Sequence, residues 1–141
     1  MFLGEYEYRV DAKGRLPLPT RFREQLKAGL VLASGPEKCI VAYPPAEWEK
    51  VAGELTGGVV LASKLRRLSR ALFSSAMDLE LDAQGRIALP HLLRESADIR
   101  SEAVVVGVNS YFEIWNKEDW RAEKEASTKQ VWQIIESIER H

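Results

Sequence analysis

The 141-residue sequence has one cysteine, Cys39, and two histidines, His91 and His141. A single thiol forms no internal disulfide, which fits a reducing, cytoplasmic setting. No grouping of histidine, cysteine and carboxylates has metal-ligand spacing, and Cys39 lies in an apolar run that reads as a buried structural thiol. Glycines that cradle phosphate are missing too, since Gly14 and Gly85 stand alone. An enzyme, a metal or a bound cofactor is therefore not expected, nor a small-molecule substrate. Long apolar runs are also absent: the longest uncharged stretch, Ala103 to Phe112, is ten residues, too short to cross a bilayer. The N-terminal stretch has no basic region and meets Glu5 early, so no secretory signal is expected. Finally, there is no excess of one charge. Twenty Lys and Arg face 21 Asp and Glu, net −1, and any binding of nucleic acid must rely on one face.

What is present is an ordinary globular composition, 45% hydrophobic and 29% charged, at a length for one domain or two small halves. An internal repeat organises it. Val10 to Glu24 aligns without gaps on Leu81 to Glu95, with eight of fifteen positions identical: Asp11/Asp82, Ala12/Ala83, Gly14/Gly85, Arg15/Arg86, Leu18/Leu89, Pro19/Pro90, Arg23/Arg94 and Glu24/Glu95. A weaker match continues one residue further offset, pairing Cys39 with Tyr111, Tyr43 with Trp115 and Trp48 with Trp120.

Each copy predicts the same elements. A short strand (Tyr6 to Val10; Asp78 to Leu81) runs into a turn that Asp opens with its carboxylate and Gly closes with positive φ. A second strand (Arg15 to Leu18; Arg86 to Leu89) leads to Pro19 or Pro90, placed where a helical turn starts. Two further strands and a helix follow, the last helix N-capped by Asn116. Between the copies, Gly57-Gly58 marks a loop, and Leu61, Leu65, Leu68 and Leu72 recur at helical spacing. The basic run Lys64 to Arg70 reads as the solvated side of that helix, its leucines packing inward. Val131, Ile134, Ile135 and Ile138 predict a long amphipathic C-terminal helix, and Trp48 and Trp120 read as core anchors. The units are expected at residues 1–52 and 74–120, with a linker and helix at 53–73 and a terminal helix at 121–141.

Between the copies several apolar residues vary, Leu16 becoming Ile87 for one, while Asp, Gly, Arg, Pro and Glu are kept. A core needs only matched volume, so retained polar identity points to a task or a specific ion-pair framework. Two uses are open for Arg15 and Arg86: pairing with the Asp four positions earlier, or binding phosphate and guanine with the planar guanidinium fork. A two-stranded ribbon is narrow enough to enter a major groove. Lys13 and Gln84, at the turn tips, can donate to nucleic acid, and Arg21, Arg23 and Arg94 lie where they could grip flanking phosphates. Asp11 and Asp82 would repel phosphate, so they, with Gly14 and Gly85, read as positioners of the loop.

The opening MFLG, the twice-repeated Asp-x-x-x-Arg turn and the FEIW segment before the closing helix resemble the MraZ family across nearly the whole chain. The resemblance implies an α+β, mainly β fold of two tandem SpoVT–AbrB-type units, their swapped hairpins forming an intrachain pseudo-dimeric barrel with flanking helices. It further implies a nucleoid-associated transcriptional regulator. Such a protein would bind double-stranded DNA at short direct repeats upstream of the division and cell-wall gene cluster. It would do so as a ring-like homo-oligomer, and the motif places the site on Asp11 with Arg15 and on Asp82 with Arg86. An interaction protein similar to antitoxins of the same fold is the alternative. Against it, the tail from Ser127 has helical periodicity rather than the polar look of a toxin-wrapping arm.

Overall fold

The computed structural model describes residues 1–56 and 63–139. The first copy forms β1 (Glu5–Arg9), β2 (Arg15–Pro17), α1 (Thr20–Arg23) with a 3₁₀ turn (Glu24–Leu26), β3 (Leu30–Ser34), β4 (Ile40–Tyr43) and α2 (Pro45–Thr56). After α3 (Ser63–Ser75) the series repeats as β5 (Met77–Leu79), β6 (Arg86–Ala88), α4 (His91–Ser96), β7 (Glu102–Val108), β8 (Tyr111–Asn116) and α5 (Lys117–Glu139). Pro19 and Pro90 do sit at the starts of α1 and α4. Asn116 caps α5, its side-chain oxygen accepting from the N–H groups of Glu118 and Asp119 at 2.8 and 3.1 Å. The Gly57-Gly58 loop, Leu61 and His141 lie outside the described residues.

The copies are interlaced rather than side by side. In the antiparallel six-stranded sheet, order β1-β7-β8-β4-β3-β5, the first strand of each copy pairs with the third strand of the other. β4 and β8 meet at the centre, where Val41 faces its own counterpart Glu113. In a separate ribbon β2 pairs with β6, and Leu16 faces its counterpart Ile87. The pseudo-twofold axis relating the copies therefore runs through both pairs. α2 and α5 cross the unit boundaries read from the sequence, running to Thr56 and starting at Lys117.

The expected closed barrel is not what forms. The large sheet is open, with β1 and β5 at its two edges, and the ribbon is its own two-stranded sheet. At the Asp-x-x-Gly turns β2 and β6 leave the large sheet and pair with each other. The ribbon's outermost bonds are Leu18 N–H to Gly85 O and Leu89 N–H to Gly14 O, after which Pro19 and Pro90 start α1 and α4.

Strand alternation sends Leu16 and Ile87, both fully buried, into one core with Leu18, Leu89, Leu32, Ile40, Ile114 and Phe112. Phe2, Phe22 and Phe112 pack together there with ring centroids 4.9–5.2 Å apart. The N-terminal segment is built in by the hydrogen bond of the Gly107 N–H to Gly4 O, 2.8 Å, and by Phe2 bridging Asn109. A Cβ on Gly107 would meet the Phe2 backbone at 2.5 Å, so only glycine allows this approach. Thus the opening MFLG is structural: it closes the core over β7.

Two expectations need correction. Trp48 and Trp120 are half-buried and sit outside the main core. Trp120 covers Trp115 on the other face of the sheet, and Trp48 wedges between Tyr43 and Phe73. They attach helices to the sheet instead of anchoring its centre. Of the α3 leucines only Leu72 is half-buried, while Leu65 and Leu68 are 41% and 52% exposed; the C-terminal end of α3 is the part tied to the sheet, where Ser75 Oγ accepts from the Ser34 N–H.

Cys39 is buried as expected, beside Glu37 and Glu113. Burial, reinforced by the neighbouring Glu113 and Glu37 charges, pushes its thiol up to about 12. Since the thiolate is the reactive form, native protein at pH 8 should react with iodoacetamide far more slowly than urea-unfolded protein. Equal labelling rates followed by mass spectrometry would contradict this burial.

Candidate nucleic-acid interface

With Leu16 and Ile87 pointing inward, the same alternation turns Arg15, Pro17, Arg86 and Ala88 to the outer face of the β2–β6 ribbon. The two arginines come from the two copies and are brought to one surface by the pseudo-dyad. At either end of the ribbon lies an Asp-x-x-Gly turn, with Gly14 and Gly85 at φ +78° and +73°. Ala12, Lys13, Ala83 and Gln84 are exposed at the tips.

Both turns are built by the same bonds. Asp11 Oδ1 accepts from the N–H groups of Lys13 and Arg15, each at 2.9 Å, and Asp82 Oδ1 accepts from those of Gln84 and Arg86 at 3.0 and 2.9 Å. The second carboxylate oxygen takes the arginine Nε, at 2.7 Å in the first copy and 2.8 Å in the second. These hydrogen bonds, the arginine backbone N–H foremost, hold both aspartates below the ordinary carboxylate range. The sign follows from the linkage: a depressed carboxylate contributes order that is complete above its unfolded value and lost as pH falls through its folded one. The loops should therefore keep their form through pH 5 and loosen only as pH falls below the ordinary aspartate value. Amide chemical shifts of Lys13, Arg15, Gln84 and Arg86 followed by NMR check this, and a transition near pH 6 would exclude the carboxylates as its cause.

Thus the Asp–Arg pairing weighed from the sequence is present. It engages only the Nε edge of each guanidinium. Among the described residues, Nη1 and Nη2 of Arg15 have no protein hydrogen-bond partner. Arg86 Nη2 donates to Gln84 Oε1 at 3.3 Å, and its Nη1 is 3.8 Å from Asp11 Oδ2, which ties the two loops into one cluster. An arginine held by its Nε edge can still present its terminal nitrogens outward.

The flanking arginines part company. Arg21 is exposed on α1. Arg23 and Arg94 instead reach across the pseudo-dyad: Arg23 lies against Gly85 of the other copy, and Arg94 against Gly14. Their Nε and Nη2 atoms donate to the carbonyls of Leu18 and Arg100 at 3.0 and 2.7 Å. In the linear sequence one feature alone distinguishes Arg23 from Arg21: Arg23 is retained as Arg94 in the second copy, while Arg21 is replaced by Leu92.

Comparison with known proteins agrees with the repeat. The chain matches the family described as MraZ protein over residues 1–67 and 72–132, covering both copies. It is 56% identical, over the full length of both chains, to the transcriptional regulator MraZ of Dehalococcoides mccartyi. It is 44% identical to the protein of that name from Roseiflexus castenholzii over 86% of this chain and 85% of the relative, and 39% identical to that of Lactobacillus delbrueckii over 99% and 97%. These relatives are named as regulators, not as enzymes, and among the described residues no helix is long and apolar enough to cross a membrane. The repeated motif, the interlaced fold and these matches agree that the chain belongs to the MraZ family.

Proposed function

We propose that this protein is a DNA-binding transcriptional regulator that docks the β2–β6 ribbon on duplex DNA. The observation that carries the reading is the convergence of Arg15 and Arg86, one from each copy, on one outward face with Asp holding their Nε edges. An arginine fork so held suits the N7 and O6 acceptors of guanine, and Lys13 and Gln84 at the tips suit adjacent base edges or phosphates. Exposed Arg21 is placed to meet a phosphate. The name borne by the relatives supports the same reading. The targets are short direct repeats upstream of its own gene cluster, read from the nucleoid in the cytoplasm.

The reading includes assembly with further copies of the chain. The ribbon face carries Lys13, Arg15 and Arg86 against Asp11 and Asp82, too little charge for one chain to hold DNA tightly. The far part of α5 leaves Val131, Trp132, Ile134, Ile135 and Ile138 exposed, and α3 leaves Leu65 and Leu68 exposed. α3 bears Lys64, Arg66, Arg67 and Arg70 without an acid, whereas the sequence beyond Lys129 carries Glu136 and Glu139 against Arg140. The exposed apolar stripes of the two helices and the basic charge of α3 support a contact of α5 of one copy with α3 of the next, head to tail, which can close into a ring. Footprinting on DNA upstream of the gene, with purified protein and no partner, tests the function. Protection over tandem repeats is expected, and binding that requires a second protein would favour the antitoxin-like alternative.

A further inference from the structure

We propose that Arg23 and Arg94 are positioning residues that lock each DNA loop from the opposite copy, rather than contacts to phosphate. The inference rests on the ribbon being the DNA-binding face. The Arg23 guanidinium occupies the space over Gly85: a Cβ there would overlap Nε and come within 2.5 Å of Cδ and Cζ. Its Nε donates to Leu18 O at 3.0 Å, and the N–H of the same Leu18 donates to Gly85 O at 3.2 Å. One residue of the first copy, Leu18, thus holds both the second copy's turn and the arginine that covers it. The arrangement is reciprocal. Arg94 Nη1 would lie 2.9 Å from a Cβ on Gly14, and the Leu89 N–H donates to Gly14 O at 2.9 Å. Arg94 is secured differently, through Nη2 to Arg100 O. Its Nε is buried without a partner, which no solvent-facing phosphate grip would require.

Glycine at positions 14 and 85 then has two causes: a positive φ, and room for the arginine of the other copy. Each loop is completed by a residue far along the chain, Arg23 for the loop of Gly85 and Arg94 for the loop of Gly14, so the two DNA loops are set as a pair.

The test is made on free and DNA-bound full-length protein. Arg23→Ala should shift the amide resonances of Gln84, Gly85 and Arg86 while leaving those of Lys13 and Gly14 in place, and Arg94→Ala should do the converse. Affinity for operator DNA should fall about tenfold, the worth of one net hydrogen bond, with the salt dependence of binding unchanged. Arg23→Lys, which keeps the charge but lacks Nε, should resemble Arg23→Ala. Gly85→Ala should cost less stability in the Arg23→Ala background than in the wild type, because only the φ strain remains. The proposal is overturned by a log–log salt slope that falls by about 0.9 with the crosswise resonances unmoved, which marks a lost phosphate contact. It is equally overturned by shifts spread through both copies, by full rescue in Arg23→Lys, or by an additive cycle. If instead the crosswise shifts occur while the Arg15→Ala/Arg86→Ala protein still binds DNA, the interlock stands and the assignment of the DNA face fails.

Discussion

Replacing Arg15 and Arg86 together by alanine is expected to abolish sequence-specific DNA binding while leaving cooperative unfolding intact. Each guanidinium is partly exposed on the ribbon and bonded through Nε to a carboxylate that also holds the loop by backbone N–H groups. Removing the side chain therefore takes away the outward nitrogens but leaves the Asx turn. Loss of a bidentate guanine contact costs about 1–3 kcal/mol at each site, so the pair loses most of the gap between specific and non-specific binding. Exposed ion pairs contribute about 1 kcal/mol or less to folding, so the melting temperature should move little. Each single variant should weaken binding, because the pseudo-dyad puts both arginines on the same face. A double variant that shifts operator DNA like the wild type would place the interface elsewhere.

Ile134→Glu with Ile138→Glu should dissociate the assembly and with it the preference for tandem repeats. Both residues lie on the exposed end of α5, 50% and 70% accessible, so the change removes an interface without disturbing the core. In the assembled protein, once one chain is seated, each later repeat is met by a tethered neighbour, and linkage of this kind raises affinity by about 10²–10⁴. DNA carrying two or three repeats should bind the wild type that much more tightly than DNA carrying one. The variant should bind all three DNAs alike. Moving one repeat by half a helical turn should erase the gain by turning its site to the opposite side of the duplex. Light scattering beside these titrations is decisive. A wild-type monomer that holds one repeat as tightly as three would mean that each chain reads its site alone.

The sequence by itself determined the local chemistry. Asp and Gly at fixed spacing made the two turns, Pro19 and Pro90 set the helix starts, Asn116 set the start of α5, and alternation around Leu16 and Ile87 set which residues face out. Each depends on interactions within a few residues, so a linear reading contains them. The duplication was legible too, and with it the equivalence of Arg15 and Arg86. The tertiary structure decided what depends on contacts between the copies. Pairing of β2 with β6 across the copies, alongside β1 with β7 and β3 with β5, puts the two arginines on one face. The pairing of β2 with β6 as a separate ribbon leaves the large sheet open where the resemblance implied a barrel. Trp48 and Trp120 look like core residues by type, yet their burial is set by helices that only brush the sheet. Arg21 and Arg23 are alike in type, and what separates them is a glycine in the other copy, brought alongside only by the fold.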